Sequence, residues 1–458
     1  MKVHANERTL SFSLFFIFLI LLLSIIPTYR YIYHAAWPSE ENSYYHIRMA
    51  EYVLTNGIPF TDPAVISQTL YFFDPFDILL GLFSTIIGTH LASLFLPFIL
   101  GIITLYFLYT LISSLFSSSK TSLISGIFLI TCPLVLTLFS QATELGFIAC
   151  LFSIGIYIIL KTEKPILAYI PFILLSFYDI FHSIIIIGFL ICFCYHKKKH
   201  VLVLTGIITG ISIVLFFYRH ESMHVQIPML LPIIQQLLSD LGGNYGFSIF
   251  AIFLTILGIS TDYFARKHVG LIILIIGFSM FISPIYLLYL IPYITISSTR
   301  GFFSLLQREW KLQYLQNIVL FLLVLGIIFS TTSTISRIAT RGPSPEIIQG
   351  LTWLEENSFD NSIIFTDKQQ GFIVEYITHR RVMFDKNTPL ESIPNDVYSL
   401  LLTKNTEEAL IILEKYQIDY IILFSETPHP SLLLVLKSTE NFKKVFENND
   451  ISIWSVYY

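Results

Sequence analysis

What this chain can fold into is constrained first by residues 11–29, a continuous apolar run preceded by Lys2 and Arg8. About 20 apolar residues span a bilayer. The run is longer than a signal-peptide core and no small-residue cleavage site follows it, so it reads as a first transmembrane helix. Similar runs recur near 90–116, 122–138, 143–160, 165–177, 180–195, 201–218, 245–262, 268–283, 284–298 and 315–333, with a shorter re-entrant or interfacial segment at 77–88. Only 13% of the residues are charged, against about 25% in soluble domains. The expected fold is therefore a polytopic α-helical membrane protein of about eleven spans.

Charge sets the expected orientation. With the N-terminus in the cytoplasm, the inner segments hold Lys2, Arg8, Lys120, Lys161, Lys164, Lys197, Lys198, Lys199, Arg266, Lys267, Arg300, Arg308 and Lys311. The outer loops before the last span hold Arg30, Arg48 and Arg219. This bias follows the positive-inside rule and places the C-terminal region outside. The net charge of −4 gives no sign of nucleic-acid binding. Cys132, Cys150, Cys192 and Cys194 all lie in apolar segments and read as core residues, with no disulfide framework.

Composition changes at Gly342-Pro343-Ser344-Pro345. The domain boundaries are thus 1–340, transmembrane with a large outer loop at 30–77, and 341–458, an extracytoplasmic α/β domain. In the latter, Ser344 caps a helix with Pro345 at its first position. Residues 363–365, 382–384 and 419–424 read as strands, and 451–457 as an edge strand. Residues 370–378 read as a helix, and Thr406 as the cap of another running through Tyr416.

The polar stretch from Ser39 to Pro75 concentrates Glu40, Glu41, Asn42, His46 and Arg48 directly after a span. Each residue also has a structural reading. Glu40 and Glu41 can favour the N-terminus of a helix beginning near Tyr44. His46 can be a packed helix residue, Arg48 can meet lipid headgroups, and Tyr44-Tyr45 can form an interfacial belt. Glu144 directly precedes a span, where an unpaired carboxylate is costly. Asp240 can end an amphipathic segment beginning near Ile227.

Asn42-Ser43-Tyr44-Tyr45-His46-Ile47-Arg48, followed by Asn56-Gly57, resembles the first external loop of the oligosaccharyltransferase catalytic subunit and its archaeal relatives. The resemblance implies the GT-C glycosyltransferase architecture and a polyprenyl- or dolichyl-phosphate-linked sugar donor. It implies a metal-dependent enzyme of the plasma membrane, with manganese or magnesium as the divalent cation and membrane lipids as further partners. The family's first metal ligand, an Asp, falls on Asn42, with Glu41 as the adjacent substitute. Its second acidic motif falls on Glu144, and its fifth-loop acidic element falls loosely on Asp240. The expected catalytic set is Glu41, Asn42, Glu144 and Asp240, with Glu41, Asn42 and Glu144 on the metal and His46 and Arg48 on the donor phosphate. Where the family's Trp-Trp-Asp reads an acceptor sequon, this chain has Thr366-Asp367-Lys368-Gln369-Gln370-Gly371-Phe372. Asp367 and Gln370 are the acceptor-binding candidates, and the missing tryptophans point away from a standard sequon. Two alternatives stay open: an asparagine-linked oligosaccharyltransferase with a divergent acceptor motif, and a catalytically silent scaffold or transporter on the same fold.

Overall fold

The computed structural model describes residues 2–33, 37–66, 71, 73–116, 118–194, 198–219, 235, 237–243, 245–261, 269–388, 395–425 and 429–458. Lys197, Ile227, Arg266 and Lys267 lie outside them. The chain divides into two compact units.

The first unit comprises Met1–Ala36, Asp74–Phe76 and Leu94–Thr340. Across both units the helices in chain order are α1 (Lys2–Tyr33), α2 (Glu41–Asn56), α3 (Pro75–Ile87), α4 (Thr89–Ser113), α5 (Ser119–Ile130), α6 (Pro133–Leu138), α7 (Glu144–Lys161), α8 (Tyr169–Leu175), α9 (Ile180–Cys194) and α10 (Lys198–Arg219), with α2 in the second unit. They continue with α11 (Ile249–Thr261), α12 (Val269–Phe281), α13 (Ile291–Gln307) and α14 (Gln313–Thr340). Among the described residues, four helices are long and apolar enough to cross a membrane: those through Thr9–Tyr33, Thr89–Ser113 and Glu144–Lys161, and the one beginning at Gln313. Seven shorter apolar helices of 10–17 residues accompany them.

Close packing in this unit relies on small residues, as expected where burial in lipid gives helices no hydrophobic drive to associate. A Cβ on Gly258 of α11 would meet Ser297 O at 1.9 Å, and one on Gly301 of α13 would meet Leu254 O at 2.0 Å. The two backbones are therefore in contact, and Thr255 and Ser298 bond across the same seam at 2.8 Å. Arg30, fully buried, donates to Ala339 O at 3.2 Å near the end of α14. The expected span at 122–138 is broken at Thr131–Cys132 by Pro133, which opens α6. That at 165–177 is a 3₁₀ turn (Pro165–Ala168) followed by α8.

The second unit comprises Trp37–Phe73, Asp77–Ser93 and Arg341–Tyr458. Its later helices are α15 (Pro345–Asn357), α16 (Gly371–Thr378), α17 (Asn395–Leu402), α18 (Thr406–Lys415) and α19 (Pro430–Ser438). Its strands are β1 (Ile363–Phe365), β2 (Arg381–Val382), β3 (Tyr420–Phe424), β4 (Phe442–Glu447) and β5 (Ile451–Val456), in the order β2-β1-β3-β5-β4. β1 is parallel to both β2 and β3, while β5 is antiparallel to β3 and β4. The core beneath the sheet includes Phe365, Ile421, Leu432, Leu436 and Trp454, each such side chain contributing about 1.5–3 kcal/mol on burial.

Ser344 caps α15 by accepting from Ile347 N at 3.2 Å, with Pro345 at the first position. Three assignments are corrected. Asn405, rather than Thr406, caps α18, its side chain accepting from Glu407 N at 3.0 Å. β5 is interior rather than an edge, because the charged segment Phe442–Glu447 pairs along its far side. The strand expected at 382–384 is reduced to Arg381–Val382.

The outer loop is part of this second unit. Val382 N donates to Ala64 O at 2.9 Å and Ile66 N donates to Val382 O at 3.1 Å. The loop thereby extends the sheet beyond β2, where an open strand edge would otherwise present unpaired backbone groups.

Candidate functional site

The site is built on α2. Glu40 occupies the cap position in extended conformation and Glu41 stands in the first turn, where a carboxylate suits the helix dipole. Gly57 ends the helix with φ +82°, a value that glycine adopts without strain. One face of α2 is buried, carrying Ser43, Tyr44, His46, Ile47, Met49 and Ala50. Tyr44 anchors it by donating to Pro38 O at 3.0 Å, within an aromatic cluster that includes Trp37 and Tyr376.

His46 Nδ1 lies 2.7 Å from Oδ1 of Asp77, a fully buried residue in the first turn of α3. Tyr71 donates its hydroxyl to Oδ2 of the same carboxylate at 2.8 Å. With Asp77 as acceptor, the network assigns the histidine proton to Nδ1 and its lone pair to Nε2. A carboxylate behind a histidine is the arrangement that orients imidazole ligands toward metals. Asn42 is four residues before His46, on the same helical face. Its Oδ1 is buried and has no hydrogen-bond partner.

Arg48 forks onto Asp62, Nη1 to Oδ1 and Nη2 to Oδ2, both at 2.6 Å. Nη2 also lies 3.0 Å from Glu375 Oε2 in α16. The guanidinium expected to grip phosphate faces two protein carboxylates. Burial pushes the Glu375 carboxyl well above the usual range, Arg48 opposing and Asp385 and Asp62 adding to the rise. Asp385, also buried, is raised by burial, while its bonds from Thr388 N and Oγ1, both 2.8 Å, work the other way.

Glu41 Oε2 is 3.7 Å from Lys386 Nζ. Burial raises the carboxyls of Glu40 and Glu41, with Lys386 the main opposing influence on each. Asp367 and Gln370 lie in one turn just beyond the carboxyl end of β1, Gln370 N donating to Asp367 O at 3.0 Å. Asp367 Oδ2 faces His429 Nε2 at 3.3 Å, beyond the carboxyl end of β3. The chain runs from β1 to β2 on one side and then crosses to β3 on the other, and such a reversal of strand order is the switch point at which open α/β sheets bind ligands.

Glu144 and Asp240 belong to the first unit. Glu144 is half-buried as the first residue of α7. Asp240 Oδ2 accepts from Ile249 N at 2.6 Å and from Ser248 Oγ at 3.2 Å, which fixes the start of α11. The expected set of site residues did not include Asp62, Asp77, Glu375, Lys386 or His429. The available signals were weak: Asp62 precedes a proline, and Asp77 follows one by two residues.

No protein-family model and no curated protein matches the chain. Solved structures do. The oligosaccharyltransferase of Archaeoglobus fulgidus, tethered to an acceptor peptide with an NVT sequon, superposes with TM-score 0.60 at 14% identity, over 93% of this chain and 72% of that one. The same protein with zinc and sulfate gives 0.56 at 14% identity, over 93% and 71%. ArnT of Cupriavidus metallidurans bound to undecaprenyl phosphate gives 0.54 at 11% identity, over 98% and 97%. The apolar helices and this likeness make the chain a multi-pass membrane protein whose fold resembles that of archaeal oligosaccharyltransferase and ArnT.

Proposed function

We propose that the protein is a glycosyltransferase that moves a sugar or oligosaccharide from a polyprenyl- or dolichyl-phosphate-linked donor to an acceptor on the extracytoplasmic face. The observation that carries this reading is the outer loop, folded into one unit with the α/β domain and presenting Asn42, His46 and Asp77. The shared fold supports it, since one neighbour was solved with undecaprenyl phosphate and another with an acceptor peptide.

A divalent cation fits the donor set. Asn42 Oδ1 is an orphaned buried oxygen, His46 Nε2 is backed by Asp77, and Glu40 and Glu41 immediately precede Asn42 in sequence. Such a cation, manganese or magnesium, would stabilise charge developing on the departing phosphate. Arg48 then acts as the residue that fixes α2, rather than as a phosphate ligand. Lys386 and His429 are the second-unit groups assigned to the phosphate, and Asp367 with Gln370 is the acceptor-side pair.

The test is transfer of labelled sugar from polyprenyl-phosphate donors in membranes, with and without manganese or magnesium. Wild type is compared with Glu41→Ala, His46→Ala and Glu144→Ala at equal expression. Metal-dependent transfer lost in Glu41→Ala and His46→Ala supports the reading. Absence of both transfer and metal binding in wild type favours a silent scaffold.

A further inference from the structure

A cavity of about 290 Å³ lies wholly within the helical unit, between α4, α7, α9 and α13. Phe152, Phe189 and Tyr293 close one end, each 4% exposed. Their rings are in contact in that order, with centroids 4.9 Å and 5.9 Å apart. The other end is open: Leu115, just past α4, is 46% exposed, and Lys161, in the last turn of α7, is exposed too. From Phe152 to Lys161 the helix rises ~13 Å, so the cavity is a slot with room for one hydrocarbon chain.

The walls are aliphatic and aromatic apart from Ser114, Tyr293 and Lys161, and Ser114 turns its hydroxyl to Leu111 O at 2.7 Å. Such walls give water too few partners. The mouth has the opposite character. Lys161 places an ammonium there, and Arg300 stands one turn beyond the lining residue Ile296. The Arg300 guanidinium lies 5.9 Å over the ring of Phe116, the residue after Leu115. None of the described residues that line the cavity is acidic, and Glu163, two residues past Lys161, is exposed outside the lining. A role in topology explains Lys161 as it explains Lys164. Topology does not require an apolar slot that ends at the ammonium.

We propose that the slot holds one anionic glycerophospholipid of the inner leaflet, an acyl chain along Ile156 toward Phe152 and the phosphate on Lys161. Arg300 adds to the attraction. The chain passes from one apolar medium to another, so its entry gains no hydrophobic drive. Retention comes from dispersion contacts along the slot and from the opposite charges at its mouth. Headgroup charge is therefore what separates this lipid from its neighbours. The site belongs to the helical unit alone and does not depend on the transfer reaction.

The experiment is native mass spectrometry of the full chain released from nanodiscs of equal parts dioleoyl phosphatidylglycerol and dioleoyl phosphatidylcholine. Wild type is expected to retain one phosphatidylglycerol, favoured about tenfold or more over phosphatidylcholine. Lys161→Gln should lower that preference about fivefold, whereas Lys164→Gln, outside the lining, leaves it unchanged. Ile156→Phe fills the slot and should abolish retention of either lipid. Equal retention of the two lipids by wild type overturns the proposal. So does an equal response of Lys161→Gln and Lys164→Gln, a comparison that stands even where Ile156→Phe does not fold. Glycerophosphate binding as tightly as the whole lipid would remove the slot from the site and overturn it as well. Displacement of phosphatidylglycerol by equimolar undecaprenyl phosphate, with the same loss in Lys161→Gln, would give the slot to a prenyl lipid instead.

Discussion

Arg48 and Glu375, one from the outer loop and one from the C-terminal region, meet at 3.0 Å with the glutamate side chain fully buried. The same guanidinium already holds Asp62 through two bonds of 2.6 Å. One cation therefore faces two carboxyl groups, and burial favours the protonated form of Glu375. Because its folded value is raised above the ordinary 4.5, the proton-linked stability is fully present below about pH 4.5 and is lost as pH rises toward the folded value. Each pH unit across that window costs up to ~1.4 kcal/mol. The thermal midpoint of the solubilised protein is expected to fall from pH 5 to pH 8, and Glu375→Gln to flatten the curve. A parallel decline in the variant rules out Glu375 as the source.

Removing the cation has the opposite character. Arg48→Met leaves Asp62 and Glu375 buried without their partner, a change that typically costs about 3–5 kcal/mol. Denaturant unfolding and limited proteolysis should show the second unit weakened, with cleavage appearing in the outer loop. An Arg48→Met protein of wild-type stability would mean that the pair contributes nothing to holding the loop.

Individual helices and strands were legible because apolar periodicity and Gly-Pro punctuation are local signals. Ser344 and Pro345 announced α15 from four consecutive letters. The site was legible only as a set of charges. His46 and Arg48 stand on a helix that the sequence shows, but their partners Asp77 and Asp62 are 31 and 14 residues away, and Glu375 lies in the other region of the chain. Arg48 read as a phosphate ligand or a headgroup contact because nothing local reveals which carboxylates fold against it. Asp240 illustrates the same limit: its bond to Ile249 N spans nine residues, so a helix-fixing acid looks like a candidate ligand.

Gly371 opens α16 against the turn that carries Asp385. A Cβ there would lie 2.9 Å from both the Cα and Cβ of Asp385, and 3.2 Å from Phe384 O. Backbone cannot yield as a flexible side chain does, so Gly371→Ala is expected to cost about 1–3 kcal/mol. The thermal midpoint should drop accordingly, with transfer at permissive temperature reduced through the displaced Asp367–Gln370 turn. An unchanged midpoint would show that the turn can move aside.

Asn42 gives the sharpest test of the metal assignment. Its Oδ1 is buried and unpartnered, and a neutral amide oxygen binds a hard cation less tightly than a carboxylate. Affinity at oxygen-rich sites rises with the number of charged ligands, so Asn42→Asp should tighten manganese binding by about tenfold. Without metal, the new carboxylate adds to Glu40 and Glu41, whose carboxyls burial already raises. The variant should therefore melt lower than wild type in chelator and recover when manganese is added. Calorimetric titration and thermal melts with and without metal measure both effects. Chelator sensitivity without manganese rescue would place the cation elsewhere, and equal affinity in the two proteins would remove Asn42 from its ligands.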